Sequence, residues 1–152
     1  MPAGSDTMDC IDYEVTELNL SNTDLTELPD DILKYTNLKI LNISNNKLTS
    51  LPPLPPTLEE LDCSHNQLTS LDNLQSNLKL LDCSDNQITT LDKLPYNLEY
   101  LRCCRNLITT LDNLPPNLIK LYCFNNKITS LYNLPPNLKI LQCYDNEITN
   151  LD

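Results

Sequence analysis

The sequence predicts a repeat solenoid, in which each turn of the chain adds one strand to a parallel β-sheet and returns through an extended, polyproline-like segment. Three observations lead to this prediction. A cysteine recurs every 20 residues at five places, which is a structural repeat period. The first six positions of each repeat alternate in character, as in a short strand. The rest of each repeat is rich in proline, asparagine and aspartate, and pairs such as Pro115 and Pro116 are incompatible with a regular helix.

Seven copies in register cover most of the chain. They begin at Val15, Leu38, Leu58, Leu78, Leu98, Leu118 and Leu138. The later copies have the form LxxLxCxxNx(L/I)TxLxxL, the first has 23 residues, and the last stops at Asp152. One copy alone cannot bury its leucines, but stacked copies can, with strands about 4.8 Å apart. The predicted domains are an N-terminal flank or weak cap at residues 1–14 and a repeat domain at residues 15–152.

This pattern resembles the leucine-rich-repeat family over residues 15–152. The resemblance implies a right-handed coil with the parallel sheet on its concave face and an extended convex side. The 20-residue length and the segments NLPPNL and LPPLPP are similar to the short bacterial repeats of secreted effectors. The LDCS motif and the abundant asparagine are similar to repeat proteins of giant viruses.

Composition excludes several classes of partner. The net charge of −11, from 21 acidic and 10 basic residues, opposes binding to nucleic acid or to anionic membrane. No apolar run is long enough to cross a membrane, and residues 1–10 do not resemble a secretion signal. The odd count of seven cysteines then favours a reducing compartment. We expect a cytosolic protein, and the effector resemblance implies the cytosol of a host.

Two repeated columns have structural interpretations. The asparagines are expected to satisfy backbone groups of neighbouring turns; they are Asn46, Asn66, Asn86, Asn106, Asn126 and Asn146. The cysteines are expected to pack as small hydrophobes, because Leu20 and Ile43 hold the same position in the first two copies; they are Cys63, Cys83, Cys103, Cys123 and Cys143. Cys104 stands one place beyond the cysteine column. It is therefore expected to face solvent and is the best candidate for a reactive thiol.

No catalytic, metal or cofactor site emerges from the sequence. His65 is the single histidine, so neither a Ser-His-acid set nor a paired metal-ligand pattern can be assembled around it. The spacing of the cysteine column is a repeat period and does not match zinc ligands. The sequence therefore predicts a protein that is not an enzyme and needs no cofactor.

The variable positions of the repeats, which are the third, fifth, seventh and eighth, are expected to point outward and to carry the function. They are small, polar and acidic in the first four copies. The last three copies carry aromatic and basic side chains typical of binding hot spots; the predicted partner-binding residues are Tyr100, Arg102, Arg105, Tyr122, Phe124 and Tyr144. The alternative is that these aromatic side chains only cover one another along the sheet.

We therefore predict a protein–protein interaction module that binds its partner on the concave face. The effector resemblance implies one alternative, the substrate-recognition part of a longer protein with a ubiquitin-ligase domain. A self-assembling repeat protein is another. Both ends look thinly capped: Ile11 and Tyr13 could supply an extra strand at one end, and the last copy is incomplete at the other. The incomplete end suggests either a longer chain or a homodimer formed through the uncapped C-terminal end.

Overall fold

The computed structural model describes residues 13–149, which form a solenoid around one parallel sheet. Its strands are β1 (Glu17–Asn19), β2 (Ile40–Asn42), β3 (Glu60–Asp62), β4 (Leu80–Asp82), β5 (Tyr100–Arg102), β6 (Lys120–Tyr122) and β7 (Ile140–Gln142). The seven strands lie in chain order and each runs parallel to the next. The predicted solenoid class is confirmed. The domain boundaries stay a prediction, since most of the flank, including Ile11, lies outside the described residues.

The strands pair without any slip in register, so each repeat position stacks on itself. Leu41 is opposite Leu61, and Leu101 is opposite Leu121, at the middle of their strands. These inward-facing leucines, together with those that begin each copy, are almost completely buried from Leu38 to Leu121. Stacking identical apolar side chains supplies the core that a single copy lacks.

Asparagine and aspartate provide most of the tight turns in this chain, which has only one glycine. The eighth position of every copy lies in the left-handed region, with φ between 52° and 57°; these residues are Asn22, Asn45, His65, Asp85, Arg105, Asn125 and Asp145. Asparagine and aspartate tolerate this conformation better than other non-glycine residues. The turn after each strand therefore has the same backbone shape throughout.

The first copy contains a feature that the sequence did not predict. Residues Asp30–Lys34 form a 3-10 helix, the single helix among residues 13–149. This copy is three residues longer than the 20-residue copies, so its return segment has room to coil where theirs stay extended. The Tyr13 hydroxyl donates a 2.6 Å hydrogen bond to Asp31, and its ring packs edge-on against Tyr35. None of the described helical segments could span a membrane.

The asparagine side chains of the ninth position join successive turns. The Asn106 amide donates to the carbonyls of Cys83, Cys103 and Cys104 at 3.0 to 3.2 Å. Its Oδ1 accepts a 2.9 Å hydrogen bond from the Ile88 N–H. The same pattern recurs from Asn46 to Asn146. Within residues 13–149 no buried side-chain nitrogen or oxygen lacks a hydrogen-bond partner.

Replacing one ladder asparagine should destabilise the solenoid. Asn106→Ala leaves one buried N–H and several carbonyls without their partner, and we expect the free energy of unfolding to fall by about 1–3 kcal/mol. Urea unfolding at 25 °C measures this. The matched control is Asn97→Ala, which removes only an exposed hydrogen bond to the Ser76 carbonyl and should cost less than about 0.5 kcal/mol. Equal losses in the two variants would contradict the ladder's role.

A second repeated feature borders the edge of the sheet at which the strands begin. A groove of about 740 Å³ runs along this edge, lined by the second and last positions of successive copies, from Lys39 and Thr57 to Asn137 and Lys139. Glu59 accepts 2.8 Å contacts from both Lys39 and Lys79. Hydrogen bonds and charge from these two ammonium groups lower the pKa of Glu59 to about 2. Glu59 therefore bridges the two lysines at this end of the groove.

Glu59 should make a stabilising contribution that disappears in acid. A carboxylate whose pKa is lowered from 4.5 to about 2 on folding stabilises the protein fully above pH 4.5 and loses that effect as the pH falls through 2. The stability difference between wild type and Glu59→Gln, measured by urea unfolding from pH 7 to pH 2, should therefore be constant above pH 5 and shrink below it. In a Lys39→Met/Lys79→Met background the same substitution should give a difference that does not vary with pH.

Candidate functional site

The outward face of β4, β5 and β6 carries a shallow pocket of about 240 Å³, which we call the β4–β6 pocket. Its outer lining comes from the third and fifth strand positions and consists of Leu80, Asp82, Tyr100, Arg102, Lys120 and Tyr122. Alternate residues of a strand point to the same face, so the three strands present these six side chains together. The structure thus brings together Tyr100, Arg102 and Tyr122 from the predicted partner-binding set.

Two cations of the β4–β6 pocket lie over aromatic rings. The Lys120 ammonium is 4.9 Å from the centre of the Tyr100 ring, and the Arg102 guanidinium carbon is 5.4 Å from the centre of the Tyr122 ring. Arg102 also approaches Asp82, with 3.7 Å between nitrogen and oxygen. Cation–π contacts of this length hold long side chains in place and keep their outer faces available. The pocket therefore presents ordered positive charge beside apolar ring surface.

Phe124 and Tyr144 form a separate pair beside the sheet. Their rings stack with centres 4.6 Å apart and planes within 6° of each other. Phe124 is half-buried, whereas Tyr144 is 56% exposed. The partner-binding set predicted from the sequence is therefore divided between the β4–β6 pocket, this stacked pair, and Arg105, which belongs to neither.

Arg105 occupies the eighth position, where its backbone φ is 52°. Other copies place asparagine, aspartate or histidine there, and an arginine pays more for the left-handed conformation than asparagine or aspartate does. The Arg105 side chain is exposed and reaches Asp85 at 3.5 Å, and the same carboxylate lies 3.7 Å from His65. A residue that departs from the local preference of its position is a candidate for function.

Three residues of the pocket lie outside the partner-binding set predicted from the sequence. They are Leu80, Asp82 and Lys120, which line the pocket together with the predicted aromatic residues. The alignment of the repeat copies could have identified them, because it gives the register of the sheet. In that register Tyr100 pairs with Lys120, and Asp82 with Arg102, on neighbouring strands. Cross-strand neighbours on one face contact each other, so aligned copies predict such pairs.

The expectation that Cys104 faces solvent is wrong. Its side chain is only 5% exposed, and burial raises the pKa of the thiol, so the neighbouring arginines do not activate it. Two serines at the same seventh position, Ser44 and Ser64, are buried as well. Their hydroxyls donate to the fifth-position oxygens of Asn42 and Asp62 at 2.7 and 2.6 Å. The turn that follows each strand directs this position against the sheet.

The cysteine column lies inside the solenoid as free thiols. The Cys63 and Cys83 thiols donate to the carbonyls of Asp82 and Arg102 on the next strand, at 3.4 and 3.3 Å. Burial raises the pKa of both groups and raises that of Cys123 to about 12, so these thiols are protonated near neutral pH. No group of three or more potential metal ligands is found within residues 13–149.

Cys104 should react slowly with thiol reagents in the folded protein. Cys10 lies outside the described residues, so the comparison uses Cys10→Ser protein with and without Cys104→Ser. A colorimetric disulfide reagent at pH 7 should find the same number of rapidly reacting thiols in both, because only exposed thiolate reacts quickly. In urea the protein that retains Cys104 should show one thiol more. Loss of a rapidly reacting thiol on removal of Cys104 would contradict its burial.

Comparison with known proteins finds a match to one family model. A family model described as leucine-rich repeats, two copies, matches residues 14–56 and 56–96. No curated protein sequence matches the chain significantly.

Solved structures resemble this solenoid closely. YopM, a leucine-rich effector protein from Yersinia pestis, has a TM-score of 0.83 and 37% identity over 90% of this chain. The functional domain of InlJ from Listeria monocytogenes, which includes a cysteine ladder, has a TM-score of 0.70 and 33% identity over 90%. TLR13 in a complex with ssRNA13 has a TM-score of 0.78 and 27% identity over 91%. This chain spans 38%, 34% and 23% of those chains, respectively.

Proposed function

The chain belongs to the leucine-rich-repeat family, and we propose that it binds another protein through the β4–β6 pocket and the neighbouring Phe124–Tyr144 pair. Proteins of this fold mediate protein–protein interactions and are typically not enzymes. The observation that carries the proposal is the concentration of Tyr100, Arg102 and Tyr122 around one pocket on the exposed face of the sheet. Aromatic and arginine side chains at a pocket are the residues that dominate binding energies.

Packing alone does not account for this surface. The interior is already filled by aliphatic and cysteine columns, and the third and fifth positions of β1 and β3 have polar or acidic side chains without loss of the fold. Tyr144 is 56% exposed despite its stack on Phe124. Large aromatic side chains left partly exposed on an ordered sheet supply contact area at little entropic cost to binding.

A protein is a better partner for this surface than a nucleic acid. One similar structure is a complex with RNA, but this chain carries a net charge of −11, and only three cations lie among the outward positions of its strands and following turns. Binding to phosphate backbones needs several such cations, since each neutralised phosphate contributes through counterion release.

The free thiols of the described cysteines fit a reducing, cytosolic setting, which we also propose.

The alternatives from the sequence stay predictions. Recognition of a substrate for a ubiquitin-ligase domain and self-association through the C-terminal end both concern parts of the protein beyond this surface. Nothing in residues 13–149 favours either over direct partner binding.

Removing two aromatic rings from the face should weaken binding strongly. We expect Tyr122→Ala/Phe124→Ala to lose at least about 2 kcal/mol of affinity for its partner, because central aromatic anchors contribute on this scale. The partner is first isolated by affinity capture from host cytosol on the wild-type protein and identified by mass spectrometry. Its affinity for purified wild type and variant is then measured by calorimetry.

The matched control removes two exposed tyrosines from the return segments. Tyr96→Ala/Tyr132→Ala loses the same kind of side chain but leaves the sheet face intact. It should bind as wild type does. Circular dichroism and urea unfolding establish that both variants are folded. Equal affinity of the folded Tyr122→Ala/Phe124→Ala variant and wild type would overturn the proposed site.

A further inference from the structure

Charge is segregated along the exposed face of the sheet. The outward third and fifth positions of β1 to β4 carry acidic residues, at Glu17, Glu60, Asp62 and Asp82, and no lysine or arginine. Those of β5 and β6 carry Arg102 and Lys120, and the turn after β5 adds Arg105. A strongly acidic protein thus concentrates the cations of this face in two adjacent copies, beside the aromatic rings.

These cations are only loosely neutralised within the chain. Arg102 and Arg105 approach their aspartates at 3.7 and 3.5 Å, and Asp85 is shared with His65. Charge-assisted hydrogen bonds between a cation and a carboxylate are normally about 2.7–2.9 Å long. The lysines of the edge groove reach that length, with both Lys39 and Lys79 at 2.8 Å from Glu59. The cations of the face are therefore paired less tightly with carboxylates than the lysines of the edge groove are.

Lys120 has the clearest unused capacity. No carboxylate lies within 4.0 Å of its ammonium among residues 13–149, and its contact is with the Tyr100 ring. The ring attracts the cation but accepts none of its hydrogen bonds as a carboxylate would. Lys120 and Arg102, which has only the 3.7 Å approach to Asp82, both line the β4–β6 pocket, so two cations converge on one small volume.

We propose that the partner inserts an aspartate or glutamate side chain into the β4–β6 pocket, where its carboxylate pairs with Lys120 and Arg102. An apolar residue beside that carboxylate packs on Leu80 and Tyr100, which line the same pocket. This inference rests on the proposed function, since it names the chemistry of the partner at that site. Because the rings already hold both cations, little side-chain entropy is lost on binding.

The overall negative charge does not prevent such an interaction. At physiological ionic strength charges separated by more than about 8 Å are largely screened, whereas a carboxylate within the pocket would be about 4 Å or less from its cations. The acidic remainder of the protein slows the approach of an acidic partner more than it weakens the contact.

A library of 12-residue peptides displayed on phage tests this chemistry directly. Selection is made on the wild-type protein, and peptides that also bind Tyr122→Ala/Phe124→Ala are discarded, so that the remainder bind the face. Their sequences are compared with the starting library, and the affinity of the most enriched peptide, synthesised free, is measured by fluorescence polarisation. We expect enrichment of aspartate or glutamate next to an apolar residue.

The same peptide is then measured against two charge-matched variants. Arg102→Gln/Lys120→Gln removes both pocket cations while keeping uncharged side chains of similar length, and we expect binding about tenfold weaker or worse. Lys93→Gln/Lys127→Gln makes an equal change of net charge in the return segments, and binding should stay within about twofold of wild type. Urea unfolding verifies that both variants are folded.

Each outcome decides between the two proposals. The inference is supported if acidic peptides lose affinity for the Arg102→Gln/Lys120→Gln variant and keep it for the Lys93→Gln/Lys127→Gln variant. Face-selective peptides that are neutral or basic, or that lose affinity equally in both variants, overturn it and leave the proposed binding face standing. If no face-selective peptide emerges, and every enriched peptide binds Tyr122→Ala/Phe124→Ala as well as wild type, both proposals fail.

Discussion

The solenoid depends on satisfying the backbone of the turn that follows each strand. At that turn the chain leaves the sheet, and its amides and carbonyls are buried between copies where water cannot reach them. The asparagine at the ninth position supplies one acceptor and two donors there, and Asn126 uses both functions to join its own copy to the preceding one. Without this side chain several buried groups in each copy would be left unpaired at once, which costs more than any single packing contact supplies.

The same constraint explains why the fold tolerates so much variation beside it. The register between neighbouring strands is constant because each asparagine side chain bonds both to its own turn and to the preceding one, so the columns cannot slip. Once the register is held, the inward columns need only apolar side chains of similar size, and cysteine serves there in place of leucine or isoleucine. The outward positions are then free to change from acidic in the early copies to aromatic and basic in the later ones.

Most of the architecture was predictable from the sequence because it is periodic. The strands, their order and the inward columns follow from residues that recur in phase, such as Leu81 and Leu101. The 3-10 helix at Asp30–Lys34 was missed because it lies in the copy whose length departs from the period. The burial of Cys104 was missed because alternation along a strand does not extend into a left-handed turn, where the direction of the side chain is set by the backbone at Arg105.

The aromatic cluster admitted two explanations from the sequence, and the structure separates its members between them. Phe124 is half-buried and stacked on Tyr144, so part of its contribution is the mutual covering of neighbouring rings. That explanation does not extend to the cations. Lys120 lies over a ring, with no carboxylate in reach among the described residues. Arg105 lies in a left-handed position that carries asparagine, aspartate or histidine in the other copies. Neither residue adds anything that the fold requires. Structural packing accounts for some of the aromatic rings but for neither of these two cations. Lys120 and Arg105 are therefore stronger grounds for a binding surface than the aromatic residues are.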